Sequence, residues 1–264
     1  MSAVFAVDKG KVRQSFAAAS LSYDGVAGLQ RQVGKALLDS IDAQSLNGTV
    51  LDLGCGTGFL TGELMALSTG GQMIALDIAL PMLHRARSKL IGQTNVRYLC
   101  ADAERLPLQA DCIDSVCSNL ALQWCRNLPV VFSDMRRILK PGGRLQFSTF
   151  GPRTLQELKT AWAEVDQFDH VNEFYSEQAL RDFLEQARFA DIQISSKVYD
   201  TTYSSVMALM RELKQIGAHN VTVGRNKQMT TKAQMQAMMN AYEKQGADGE
   251  ISATYEVITV SARV

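Results

Sequence analysis

Between residues 49 and 149 one pattern repeats: a short β-branched or apolar run, a turn, then a helical run. TVLDL reads as a first strand and FLTGELMALS as a helix; QMIALD is a second strand, and LPMLHRARSKLI a second helix opened by Pro81. NVRYLCAD and CIDSVCSNLAL are the third and fourth strands, VVFSDMRRILK is a helix, and PGG turns the chain into RLQFSTF, a fifth strand. Alternation at this spacing requires right-handed crossovers and a parallel sheet covered on both faces. Ligands in such sheets bind beyond the carboxyl ends of the strands, so the residues following each strand are the ones to inspect.

After Phe150 the pattern changes. TLQELKTAWAEVDQF and SEQALRDFLEQARF read as helices, the second with Ser176 as N-cap. DIQISSKVYDTTY and EISATYEVITVSARV alternate like strands, and two helix-like segments, SVMALMRELKQIG and TKAQMQAMMNAYEKQG, lie between them. The fold class expected is α/β: a Rossmann-like, doubly wound, seven-stranded and mostly parallel sheet with a helical lid inserted near the C-terminus. No Pro-, Gly- or Ser-rich linker divides the chain. One domain over 1–264 is expected, with a helical cap at 1–45, a ligand-binding core at 46–150, and a C-terminal part at 151–264 whose lid covers about 204–246.

Composition matters here for what it excludes. The 27 basic and 27 acidic residues cancel, so nothing favours wholesale nucleic-acid binding. No run approaches the ~20 apolar residues of a membrane span, and MSAVFAVDKGKVRQSF lacks the apolar core of a signal peptide. Cys55, Cys100, Cys112, Cys117 and Cys125 form no CxxC and no Cys/His cluster, so no metal is expected. They read as reduced thiols of a cytoplasmic protein. A nucleophilic cysteine would need a base, and only His84, His170 and His219 are available.

The chemistry concentrates in VLDLGCGTGFL, where Gly54, Gly56 and Gly58 follow a strand carrying Asp52. The dinucleotide fingerprint G-x-G-x-x-G wants glycine where Phe59 stands, and a P-loop wants G-K-[ST]; neither fits. A ligand with both carboxylate and ammonium needs close backbone donors and a nearby anion, which the glycine turn and Asp52 supply. The run D-L-G-C-G-T-G resembles the first motif of class I S-adenosylmethionine-dependent methyltransferases. That resemblance implies S-adenosylmethionine as cofactor and S-adenosylhomocysteine as product, held by Asp52, Gly54, Cys55, Gly56 and Gly58. Asp77 with Ile78 ends the second strand, 19 residues beyond Gly58, where a carboxylate can take both ribose hydroxyls; this feature alone also fits NAD. By the same resemblance, Asp102 and Ala103 meet the adenine, and Ser118, Asn119 and Leu120 lie beside the reactive methyl.

A narrower likeness runs from the N-terminus into the lid. KVRQSFAAASLSYDGVAGLQ, SNLALQWCRNL, TLQELKTAW and MRELKQIGA followed by GRN resemble the malonyl-[acyl-carrier protein] O-methyltransferases of the biotin pathway. The implied reaction methylates the free carboxylate of a malonyl thioester, hiding a charge so that the chain can be extended toward pimelate. Trans-aconitate-type methyltransferases share a stretch like SNLALQWC, so a small free acid is the alternative acceptor. An NAD oxidoreductase and a non-catalytic binding protein on the same fold are further readings, the first opposed by Phe59. Malonyl on acyl carrier protein and malonyl on coenzyme A read alike, and nothing sets an oligomeric state.

Substrate-side candidates are fewer. Tyr23 either closes over the cofactor, as the resemblance implies, or covers the open edge of the core. Gln123 and Trp124 follow the fourth strand and could wall a methyl pocket. Arg211 and Lys214, three apart on one helix face, either clamp a carboxylate or are solvated; Arg144 falls at the remote end of its strand. From Ser204 to Gln245, six basic residues (Arg211, Lys214, Arg225, Lys227, Lys232, Lys244) outnumber Glu212 and Glu243, and a basic lid would steer an acidic carrier protein. Met235, Met238, Met239 and Tyr242 form a helical stripe that is either core or a lining for a pantetheine arm.

Overall fold

The computed structural model describes residues 7–218, 230–246 and 250–264. Seven strands form one sheet: β1 (Thr49–Leu53), β2 (Gln72–Asp77), β3 (Val96–Cys100), β4 (Ile113–Asn119), β5 (Leu139–Phe150), β6 (Ala190–Tyr203) and β7 (Ile251–Arg263). Their order is β3-β2-β1-β4-β5-β7-β6. The first five pair in parallel, while β7 runs antiparallel to both β5 and β6. The expected mostly parallel sheet is therefore the one observed, with a single reversed strand.

Val50 and Leu51 show how the layers arise. Adjacent residues of a strand face opposite sides, and these two are buried in different clusters. Val50 packs with Leu37 and Leu38 of α3 (Gly28–Asp39) and with Leu60 and Leu64 of α4 (Phe59–Leu67). On the same side, Ala75 meets Leu83 of α5 (Leu80–Lys89). Leu51 packs on the other side with Phe132 and Met135 of α6 (Leu128–Ile138) and with Leu180 and Leu184 of α8 (Glu177–Gln186). Ser176 caps α8 by accepting from the Ala179 N–H, as its position suggested.

The N-terminal region is less uniform than a cap over 1–45. Two helices, α1 (Lys9–Ala19) and the single turn α2 (Tyr23–Val26), lie over the edge, while α3 belongs to the layer covering the sheet. Its Val33, Leu37 and Leu38 are buried.

The lid has a topological cause. β6 runs parallel to β5 and ends at the carboxyl edge; β7 runs back and must start there. The described helices between them sit over that edge. β7 also overhangs: it pairs with β6 back to Ile251 but with β5 only to Val257. On the overhang, α7 (Gln156–Ala163), α9 (Val206–Gln215) and α10 (Lys232–Glu243) build a second core around Trp162, Leu209, Met238 and Tyr255. Met238 and Tyr242 of the methionine stripe are buried in it, with Met235 and Met239 partly buried. No helix of the described residues is long and apolar enough to cross a membrane.

The Phe132 side chain is fully buried against Phe147 of β5, ring centroids 5.5 Å apart. Phe132→Ala is expected to lower unfolding stability by about 3–5 kcal/mol, seen as a drop in urea midpoint with an unchanged m-value.

Candidate functional site at the carboxyl edge

The glycine turn is stitched to the neighbouring strand before it reaches any ligand. Gly54 N–H and Cys55 N–H both donate to Leu76 O of β2, at 2.8 and 2.9 Å. The three glycines then do different things. Gly54 has φ 78°, and a Cβ there would lie 2.3 Å from the Ala121 Cβ. Gly58 caps α4 at φ 85°, where a Cβ would meet Ala86 of α5 at 2.9 Å. Gly56, at φ 52°, has open space on that side. Close helix packing is thus already met by Gly58. Phe59 instead reaches α3, where its ring fills the place a Gly34 Cβ would take.

Two carboxylates are buried beside this turn. Asp52 is wholly buried; its Oδ2 accepts from the Thr61 hydroxyl at 2.6 Å, and its Oδ1 has no partner. Burial, with the neighbouring Asp77 charge, pushes the Asp52 carboxyl up to about 7. Asp77 Oδ2 accepts from Gly56 N–H at 3.0 Å and Oδ1 from Ala79 N–H at 2.8 Å, so it also holds the turn in shape. Burial pushes it up to about 6 against those backbone donors.

A cavity opens along the ends of β1, β2 and β4 and the segment after β3. Among the residues expected to hold a cofactor, Gly54, Gly56, Asp77, Ile78, Asp102, Ala103 and Asn119 line it. Asp52 and Cys55 line a small adjoining cleft instead, with Tyr23 and Asn119 shared between the two. Gly58 shapes the turn from behind. Ser118 departs from expectation: it is fully buried and donates its hydroxyl to Leu53 O at 2.8 Å, locking β4 to β1. The turn after β4 is strained, with Leu120 at φ 48° held by the Ser148 backbone and side-chain oxygens. Asn119 accepts from the Ser148 hydroxyl and donates to Gln30 O, both at 2.8 Å.

The N-terminal helices close the cavity with Tyr23 and with residues the sequence had not singled out, Lys9, Phe16 and Asp24. Lys9 reaches Asp102 Oδ1 at 2.7 Å and Glu104 at 3.0 Å, and Phe16 meets Trp124 edge-on at 5.3 Å. Asp24 accepts from the Thr57 hydroxyl at 2.7 Å and pairs with Lys89 of α5 at 2.5 Å. Tyr23 is half-buried on the cavity wall, its phenol pushed up by burial and by the Asp77 and Asp24 charges.

A second cavity of about 490 Å³ lies under α7 and α9, with Trp124 shared between the two. Gln123 lines it, but donates to Leu120 O at 2.6 Å and accepts from Thr149. Arg211 and Lys214 also line it and are exposed. Arg144 is remote, paired with Asp42 at 3.2 Å. His219, Arg225 and Lys227 lie outside the described residues. The cavity also gathers His170, Asn172 and Tyr255, which no motif announces.

Residues 51–147 match the family model described as a methyltransferase domain. Over 96% of its length the chain is 41% identical to malonyl-[acyl-carrier protein] O-methyltransferase of Gallionella capsiferriformans, covering 90% of that protein. The corresponding enzyme of Methylococcus capsulatus is 40% identical, with 96% and 92% covered. The biotin biosynthesis bifunctional protein BioHC of Cellvibrio japonicus is 41% identical, and the chain spans about half of it, 49%. Among solved structures, a putative methyltransferase of Bacillus halodurans superposes with TM-score 0.62 at 18% identity, covering 87% of this chain and 97% of that one.

The raised carboxyls give a prediction for the unliganded protein. Asp52 and Asp77 keep protons to higher pH folded than unfolded, so the folded state binds more protons between about pH 4 and pH 7. Their contribution to stability is full below that window and is lost as pH rises through it. The Tm of wild type minus that of Asp52→Asn should therefore fall from pH 4 to pH 7; a constant difference would remove the argument.

Proposed function

The chain belongs to the malonyl-[acyl-carrier protein] O-methyltransferase family, and we propose that its site works by alignment and desolvation rather than by acid–base catalysis. It moves the methyl of S-adenosylmethionine to the free carboxylate of malonyl-acyl carrier protein, giving the methyl ester used on the way to biotin. The observation that carries the assignment of the site is the buried, unpartnered Oδ1 of Asp52 beside the open face of Gly56.

An ammonium fits that orphaned oxygen, and ionised Asp52 is what it requires. Backbone at Gly56 admits a ligand carboxylate closely because no side chain intervenes. Asp77, between two backbone donors, can still accept from ribose hydroxyls. Lys9 engages Oδ1 of Asp102, leaving Oδ2 for the adenine amine. When bound, S-adenosylmethionine supplies a methyl on a cationic sulfur. Trp124, between the two cavities, then marks where the acceptor meets it.

The acceptor needs no general base, because a carboxylate is already ionised at neutral pH. A buried cation clamping it would stabilise the ground state and weaken the nucleophile. The one cation lining the first cavity among the described residues, Lys9, is committed to Asp102 and Glu104. Apolar walls from Leu120, Trp124 and Phe16 strip water from the carboxylate and hold the three reacting atoms in line. Arg211 and Lys214 are too exposed for that work. They suit first contact with an acidic carrier at the mouth. All five cysteines are free thiols, in keeping with a cytoplasmic site of action.

Incubating malonyl-acyl carrier protein with the enzyme and S-adenosylmethionine should add the mass of one CH₂ to the carrier-bound malonyl group by mass spectrometry. A gain on free trans-aconitate and none on the carrier would move the assignment to a small-acid methyltransferase. Cofactor affinity by calorimetry should strengthen from pH 6 to pH 8 as Asp52 ionises, and lose that dependence in Asp52→Asn. Reversing both rim charges (Arg211→Glu with Lys214→Glu) should lower kcat/KM for the carrier substrate roughly tenfold at low salt and less at high salt. An effect that does not change with salt would contradict steering.

A further inference from the structure

The second cavity is far larger than a malonyl group; about 490 Å³ suits a ligand of drug-like size. Most of its wall is apolar, with Leu158, Trp162, Phe174 and Met210 prominent. One stretch of that wall is different. Asn172 is nine-tenths buried, and its Oδ1 has no hydrogen-bond partner among the described residues. Two residues earlier, His170 lies flat on Trp162, ring centroids 3.7 Å apart and 6° from parallel. Its Nε2 meets Asp166 Oδ1 at 2.8 Å. A carboxylate can only accept, so Nε2 carries the hydrogen that faces Asp166.

The orphaned Asn172 oxygen and the Asp166 carboxylate behind His170 make this corner rich in acceptors. A malonate anion brings no donor and would be repelled there. An orphaned buried amide oxygen has an unmet need for an N–H or O–H, at a cost comparable to a lost hydrogen bond. A pantetheine thioester has two amides, each with an N–H beside a C=O. Asn172 matches such a group reciprocally, with Oδ1 accepting and Nδ2 donating. The opposite end of the same substrate, the carboxylate, is thereby directed away from Asp166 and toward Trp124.

We propose that Asn172, with His170 beside it, recognises an amide N–H of the pantetheine arm and so sets which way the malonyl thioester enters. The proposal rests on the thioester reading above. It predicts a preference the malonyl group alone cannot produce. Wild type should methylate malonyl-pantetheine with a kcat/KM about tenfold or more above that of an analogue in which CH₂ replaces both amide N–H groups. Asn172→Leu should shrink that ratio to near unity. His170→Phe, which keeps a flat ring for the Trp162 stack, gives a second test if Asn172→Leu fails to fold, and should reduce the ratio severalfold. Wild type turning over both thioesters equally, or a folded Asn172→Leu with the ratio unchanged, would overturn the inference and leave the methyltransferase reading intact. Failure of wild type to methylate any malonyl thioester would instead remove the premise.

Discussion

Parallel strands put all their carboxyl ends on one edge, and everything functional in this chain follows from that. The register aligns Asp52 of β1 with Ala75 of β2 and with Cys117 of β4, so the strands run out together. Asp77 and Asn119 end their strands within a residue or two of the same line. Backbone groups at such an edge have no next residue in the ladder to satisfy them. Gly54 and Cys55 spend their N–H groups on Leu76 O, and Leu120 spends its own on Ser148. The residues left over are the ones a ligand can use. The reversed β7 extends the logic, because the β6–β7 connection must return over the same edge.

That edge carries an electrostatic strain. Two carboxyls lie buried side by side, each raised by desolvation, and Asp52 is raised further by Asp77. An unpaired buried charge is among the larger penalties a fold can carry. Backbone donors relieve Asp77, while Thr61 relieves Asp52 and leaves its Oδ1 unpartnered. In the proposed reading, a cationic ligand group beside Asp52 Oδ1 would relieve the remainder. The N-terminal ion pairs serve the same end from outside. Lys9 of the cap is tied to Asp102, and Asp24 of the cap to Lys89 of α5, without placing a cation against Asp52 or Asp77.

Much of this was legible in the sequence, for a local reason. A strand, a turn and a helix N-terminus are contiguous, so spacing put Asp52, Gly54, Gly56 and Asp77 at the strand ends, while the resemblance supplied the ligand expected there. Ser118 was misplaced because neighbours on a strand face opposite ways, and spacing to the strand end does not say which faces the ligand. Phe59 argued against a dinucleotide, but its partner, Gly34 of α3, was invisible until the fold joined them. Lys9 carried no motif, being distinguished only by a partner 93 residues away. His170 and Asn172 sit in an irregular loop with no periodicity. Their significance comes from Trp162 beneath them and the cavity in front, both tertiary.

The two cavities meeting at Trp124 also bear on specificity. If the carboxylate were gripped by a strong cation, any small acid of the right length would bind and react, and the protein would select on the wrong feature. Leaving the nucleophile to apolar walls makes free acids poor ligands, since desolvation of a carboxylate goes uncompensated. The compensation then has to come from elsewhere on the substrate: the apolar reach of the second cavity, the Asn172 corner and the exposed Arg211 and Lys214 outside. Binding energy gathered far from the reacting carbon is spent on stripping water from the carboxylate. On the proposed reading a substrate lacking the arm forfeits that energy, so selection falls on the thioester arm rather than on the acid it carries.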